Sequence, residues 1–268
     1  MTLRITNNAA IFKFAILLLC LSSVAASAQG NGETTQSDIV EADIRSGAAS
    51  EADPYENWNR KVYDFNVFID DWFLKPVAQG YRAVMPSVAD RAVTNFFNNI
   101  GEIGNFANSI FQLKGEAAVV AVGRFTYNTV FGLGGLFDVA TVFELPERPE
   151  DFGQTLGYWG MGSGPYLMLP LMGPSTGRDF TGFVVDVTAL PGLSTAVDEP
   201  DYYYLVGVQV VDRRADLIPA ERFISGDPYT FVRNAYLQRR AYLINDGQPS
   251  SDPFASGENN EDLMLEDF

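Results

Sequence analysis

Between Gly115 and Phe131 the chain places Ala, Val or an aromatic ring in almost every direction around a helix, while Glu116, Arg124 and Asn128 fall on one narrow stripe at spacings of eight and four. A helix coated this way is not stable with its faces in water, so it must be buried in protein or in lipid. Its polar stripe suits either a water-containing passage or a buried ionic network, and the spacing leaves both open.

The neighbouring segments read as helices too. Asp53-Pro54 opens one, with Asp53 placed to cap free amides and Pro54 suited to the first position. Trp58, Val62, Phe65, Ile69 and Trp72 then recur every three or four residues, widened by Phe68 and Phe73, and Lys75-Pro76 predicts the end of that helix. A short helix follows from Val77 to Val84. Pro86 breaks it, and Ser87 is placed to cap the next, whose apolar face holds Val88, Ala92, Val93, Phe96, Phe97 and Ile100. Further helices are expected from Arg178 to Ala189, from Asp201, and from the second Asp-Pro pair at Asp227-Pro228 to just before Gly247.

One tract resists this reading. Residues 151 to 177 hold seven glycines and three prolines around Trp159, Tyr166, Leu167, Met168 and Leu169. The prolines stop a continuous helix, the glycines permit close backbone passage, and the large apolar groups argue against a free linker. An ordered re-entrant loop is expected, at membrane depth only if its backbone faces protein or a wet cavity. Gly132-Leu133-Gly134-Gly135 lacks the Lys and Ser/Thr of a phosphate-binding loop and is read as a helix stop.

The chain ends have a different character. Arg4 and Lys13, the apolar run Phe14 to Leu21 and Ala26-Ser27-Ala28 form a secretory signal over residues 1 to 28, too short in its apolar part to span a bilayer. Cys20, the only cysteine, follows the large Leu19, so cleavage near Gln29 is expected, with lipidation at Cys20 as the alternative. Residues 29 to 53 and 247 to 268 are acidic and poor in large apolar groups, and read as flexible extensions. The formal net charge of -16 makes nucleic acid an unsuitable partner. The chain has no histidine, which removes the usual triad base and the common zinc sites, and no carboxylate pair stands out as catalytic. The sequence therefore calls for no enzyme, metal or cofactor. An acyl hydrolase is the weakest of the readings weighed.

Several separated motifs carry a resemblance. They are Asp53-Pro54-Tyr55-Glu56 with Asn59-Arg60, Lys75-Pro76-Val77-Ala78, Asn95-Phe96-Phe97, Gly132 through Ala140, Asp151-Phe152-Gly153-Gln154-Thr155-Leu156-Gly157, Gly164-Pro165-Tyr166-Leu167 and Asp227-Pro228-Tyr229. Through them the chain resembles the MlaA/VacJ family of outer-membrane lipid-asymmetry proteins over nearly all of 53 to 245. The resemblance implies an all-α, compact, ring-like, membrane-seated domain over 54 to 246. It also implies a passage that removes mislocalised phospholipid from the outer leaflet, with a trimeric porin and a soluble periplasmic phospholipid carrier as partners. The alternative is a non-enzymatic structural or porin-binding protein.

On this view the passage is formed by the 115 to 131 helix and the 151 to 177 tract. Arg124 and Asn128 are the head-group candidates, and Gly153, Gly157, Gly160, Gly162 and Gly164 belong to the passage loop. Trp58, Trp72, Phe73, Phe96, Phe97, Trp159 and Tyr166 are the membrane or packing candidates. Arg60, Lys61, Arg178 and Asp179 are weaker polar ones.

Overall fold

The structure is a computed structural model and describes residues 53–198 and 200–247. The expected signal, the lipidation question at Cys20 and all but the innermost residues of both acidic extensions lie outside the described residues. Within them the chain is helical apart from one hairpin, and the order is α1 (Glu56–Ile69), a π-helical turn (Asp70–Leu74), α2 (Lys75–Val84), α3 (Ser87–Phe111), α4 (Gly115–Val130), a 3-10 turn (Ala140–Phe143), α5 (Phe152–Tyr158), β1 (Tyr166–Leu169), β2 (Gly173–Thr176), α6 (Gly177–Thr188), α7 (Leu193–Ala196), α8 (Asp201–Leu217), a second 3-10 turn (Ile218–Phe223) and α9 (Pro228–Ile244).

The predicted break at Lys75-Pro76 is absent. Helix continues from Glu56 to Val84 because the π turn resets the register just where Pro76 lacks a donor: the Lys75 amide reaches back five residues to the Asp70 carbonyl. The turn is anchored from outside. Arg214 grips the Asp70 carboxylate through two bonds of 2.7 and 2.6 Å and also pairs with Glu221, which in turn holds Lys75 at 2.8 Å.

Asp53 is not the expected helix cap. Its side chain is buried, takes a 2.7 Å bond from Asn59 Nδ2 and another from the Tyr229 hydroxyl, and sits 3.3 Å from the Arg233 guanidinium. It thereby ties the start of α1 to α9 at a separation of about 180 residues. Asp227, by contrast, does cap α9 by accepting from the Thr230 amide.

The glycine-proline tract is more regular than a loop. It contains α5 and an antiparallel hairpin in which Tyr166 pairs with Thr176 and Leu169 with Gly173. A two-stranded hairpin is marginal alone and leaves an unpaired edge. Two asparagines of α1, seven residues and two helical turns apart, satisfy this edge. Asn59 donates to the Tyr166 carbonyl (3.1 Å) and accepts from the Met168 amide (2.9 Å), while Asn66 donates to the Leu169 carbonyl (2.9 Å) and accepts from the Leu171 amide (2.8 Å). Val62, between them, packs with Tyr166, Met168 and Tyr229 in the apolar core.

Asn59→Asp is therefore expected to lower the unfolding free energy by about 3 kcal/mol, because it removes the donor to Tyr166 and sets a second carboxylate against buried Asp53. Chemical denaturation of the detergent-solubilised protein measures this, and a midpoint within error of the parent would contradict it.

The rest of the framework is helix on helix: α3 packs along α4, α5 on α6, and α2 on α8. The α5–α6 contact is close because Gly182 faces Gly153. A methyl at 182 would lie 2.2 Å from the Gly153 nitrogen, so any side chain there pushes the two helices apart.

Candidate functional site

The distribution of polarity in this fold is inverted. Among the described residues, seventeen polar or charged side chains are buried against thirteen apolar ones. The apolar groups are outside instead: Trp58 is 65% exposed, Trp72 80%, Trp159 56% and Leu171 72%, with Phe68, Phe73, Phe131, Leu133, Val130 and Phe143 also exposed. Soluble monomers do not leave so many large apolar side chains in water, so this exterior is built for a non-aqueous neighbour. Among the described residues no helix is long and apolar enough to cross a membrane.

The buried polar groups form connected networks. At the α3–α4 contact Arg124 bonds Glu102 at 2.6 Å, the Leu145 carbonyl at 2.6 Å, Thr141 Oγ1 at 3.2 Å and Asp138 at 3.3 Å. Asn128 donates to Asp138 (3.1 Å) and accepts from the Ala140 amide (2.8 Å). Glu116 of the polar stripe is exposed and pairs with Arg148 at 2.7 Å, whereas for Arg124 and Asn128 the structure realises the ionic network. Both residues are buried, and their polar atoms are spent on folding residues 138–145 back against α4.

A second network crosses the middle of the molecule. Asn108 donates to Asp186 (3.1 Å) and accepts from the Thr155 hydroxyl (2.9 Å), Gln112 reaches Glu150 (2.8 Å), and Glu150 also pairs with Lys114 (2.9 Å). A third joins Asp151 and Asp179 through Arg240, with the Tyr236 hydroxyl on Asp179 at 2.7 Å. Arg178 and Asp179 are buried within it. Gly153 lets the chain pass it, since a methyl there would lie 2.8 Å from Arg240 Nη2 and 2.9 Å from Asp179 Oδ1.

The other candidates fall into separate groups. Trp58, Trp72, Phe73 and Trp159 are on the exposed apolar surface, Phe96 is half-buried and Phe97 is buried. Tyr166 is wholly buried in the core, so it has no surface to offer a bilayer. Arg60 bridges Glu56 and Asp227 over the Tyr229 ring, which makes it a clasp between α1 and α9. Lys61 is exposed. Gly157 faces Arg178, and Gly160 and Gly164 adopt positive φ at turns, whereas a methyl on Gly162 would meet open space.

Two cavities flank the segment 147–150. One, of about 320 Å³, is ringed by α3, this segment, the end of α6 with the chain after it, and α8. Its lining is amphipathic: Phe97, Ile100, Leu190 and Leu193 offer apolar surface, and Asn98, Asn105, Asn108, Asp186, Gln209 and Arg213 offer polar groups. The other, of about 590 Å³, lies between the start of α4 and the end of α9 and includes Lys114, Glu116, Arg148 and Tyr242. Glu147, Pro149 and Glu150 line both. Neither cavity is lined by Arg124, Asn128 or the five glycines proposed from sequence.

The sequence reading missed α3 as a wall. The signal is Asn98, Gly101, Asn105 and Asn108 at spacings of three and four; the apolar face read from sequence ends at Ile100, whereas the helix runs on to Phe111.

Asp186 is the distinctive titrating group here. Burial pushes its carboxyl up to about 6, although the Phe152 amide and Asn108 donate to it. A raised folded pKa means the folded state holds a proton that the unfolded chain releases, so stability falls as pH rises from about 4 and levels off above 6. The loss between pH 4.5 and 7 is expected to be about 2 kcal/mol, and Asp186→Asn should remove that slope. Denaturation midpoints across this range test it, and parallel pH profiles for parent and variant would contradict it.

Comparison with known proteins agrees with this architecture. A family model described as MlaA lipoprotein matches residues 51–243. The intermembrane phospholipid transport system lipoprotein MlaA of Haemophilus influenzae is 32% identical over 238 residues, covering 87% of this chain and 91% of the relative. The protein of the same description from Escherichia coli K12 is 34% identical over 215 residues, covering 76% and 84%. A Rickettsia prowazekii protein of unknown function is 31% identical over 235 residues, covering 84% and 92%. A solved structure reported as the structural basis for maintenance of bacterial outer membrane lipid asymmetry superposes with a TM-score of 0.65 at 36% identity, covering 72% of this chain and 99% of that one. With a family match across most of its length and relatives above 30% identity covered nearly end to end, this chain belongs to the MlaA lipoprotein family.

Proposed function

We propose that this protein serves intermembrane phospholipid transport at the outer membrane: it sits in the inner leaflet, receives phospholipid misplaced in the outer leaflet and passes it to a soluble periplasmic carrier, beside a trimeric porin. The observation that carries this reading is the inverted polarity, with aromatic and aliphatic groups outside and charged networks inside. An exterior of that kind, with no helix able to span a bilayer among the described residues, suits a protein embedded to about half the membrane's depth.

The route is the amphipathic cavity between α3, residues 147–150, α6 and α8. A diacyl lipid needs a wet side for its head group and a dry side for its chains, and this lining offers both. Arg124 and Asn128 contribute by fixing the α3–α4 wall and residues 138–145, not by touching the lipid. The three ionic networks keep the wall rigid while its exterior is solvated by acyl chains.

The seat in the leaflet is tested by tryptophan emission. Trp58, Trp72 and Trp159 are the chain's three tryptophans and all are exposed. In vesicles whose lipids carry bromine on the acyl chains, more than about half of the emission should be quenched, since rings on this surface lie at the depth of the chains and the interface. Emission equal to that in unbrominated vesicles would overturn the assignment.

A further inference from the structure

The geometry points to a head-group site in the smaller cavity that selects an amine-bearing zwitterionic phospholipid over one with a net negative head group, with Arg213 receiving the phosphate and Glu147 the ammonium. This rests on the proposed lipid passage and deepens it by naming the class of lipid.

Among the described residues four charged side chains line the cavity: Glu147, Glu150, Asp186 and Arg213. Two of the acids are already engaged. Glu150 is held by Lys114 and Gln112, and Asp186 accepts from Asn108 and the Phe152 amide. Glu147 and Arg213 differ from these two, since among the described residues neither makes an ion pair or hydrogen bond. The two stand on separate elements, the 147–150 segment and α8, facing one cavity without closing a salt bridge between them.

One free anion and one free cation across a cavity complement a ligand that carries both charges a few bonds apart. A phosphoethanolamine group meets that requirement, with a phosphodiester for the Arg213 guanidinium and a primary ammonium for the Glu147 carboxylate. A phosphoglycerol group supplies only the anion. It would leave Glu147 unmatched and add a negative charge to a lining of three acids and one base. Gln209, Asn98 and Asn105 offer further hydrogen bonds to either head group and so do not discriminate. Because Glu147 and Arg213 are exposed, the preference should be modest, about fivefold, as for single ion pairs in contact with water.

The test equilibrates the purified full chain with mixed micelles holding equal amounts of phosphatidylethanolamine and phosphatidylglycerol of identical acyl chains, and counts the captured lipids by mass spectrometry. Lipid in the cavity is defined as that lost in a Gly104→Trp variant, which fills the same space. The expected result is enrichment of phosphatidylethanolamine by about fivefold, falling to near parity in Glu147→Gln and inverting in Glu147→Lys. Arg213→Ala should lower capture of both lipids. Cavity lipid at the micelle ratio, or enrichment unchanged in Glu147→Gln, would overturn this inference while leaving the passage standing. No lipid displaced by Gly104→Trp would overturn both.

Discussion

Replacing Arg124 by Met is expected to lower the thermal midpoint by about 10 °C, without a preceding loss of lipid capture by the protein that remains folded. The guanidinium is buried against Glu102 at 2.6 Å and is also bonded to Asp138, Thr141 and the Leu145 carbonyl. Removing it strands the Glu102 carboxylate in the interior and releases residues 138–145 from α4. Breaking a buried pair from one side costs about 3–5 kcal/mol, most of it the charge left behind. In a domain of this size each kcal/mol moves the midpoint by about 2–4 °C. The double variant Arg124→Met with Glu102→Gln removes that stranded charge and should recover at least half of the loss, a coupling that only a direct partnership produces. If Arg124 instead served as a lipid ligand, the single variant would keep its midpoint and lose lipid, and the double variant would restore nothing.

The fate of Arg124 shows where the sequence was informative and where it was not. Helix periodicity located α4, α8, α9 and the start of α1 to within a few residues because their apolar stripes obey a spacing that is local. The family resemblance then marked the whole region. Local spacing does not tell whether a polar residue on an apolar helix meets water or a partner from another element, since Glu102 and Leu145 lie some twenty residues away on either side of Arg124.

The same limit applies to Asp53. Its position before Pro54 suggests a cap, yet its true partners include Tyr229 and Arg233 at the far end of the chain. The hairpin at 166–176 was hidden for another reason. Four-residue strands carry almost no periodic signal, and this pair is completed by Asn59 and Asn66 from a helix a hundred residues earlier. For the aromatics the sequence could not divide core from surface: Trp72 and Tyr166 look alike as apolar rings, and only the packing places one outside and the other at the centre.

The proposed passage is tested most directly by plugging it. Gly101 and Gly104 lie on the wall of the amphipathic cavity, and a Cβ at either position meets nothing within 4 Å, so a side chain added there enters open space. In a helix interior the change from Gly to Trp also gains about 0.3–0.5 kcal/mol of helix propensity. Gly104→Trp should therefore fold at least as well as the parent while its indole occupies the route. Gly80→Trp is the matched control, because Gly80 is equally unobstructed but lines neither of the cavities beside residues 147–150. The measurement is transfer of labelled phospholipid from proteoliposomes, with the proposed porin partner present, to the proposed soluble periplasmic carrier. The account predicts a fall of tenfold or more, to about the protein-free rate, for Gly104→Trp, with Gly80→Trp near the parent rate and all three proteins melting alike. Transfer by folded Gly104→Trp at the parent rate would contradict it.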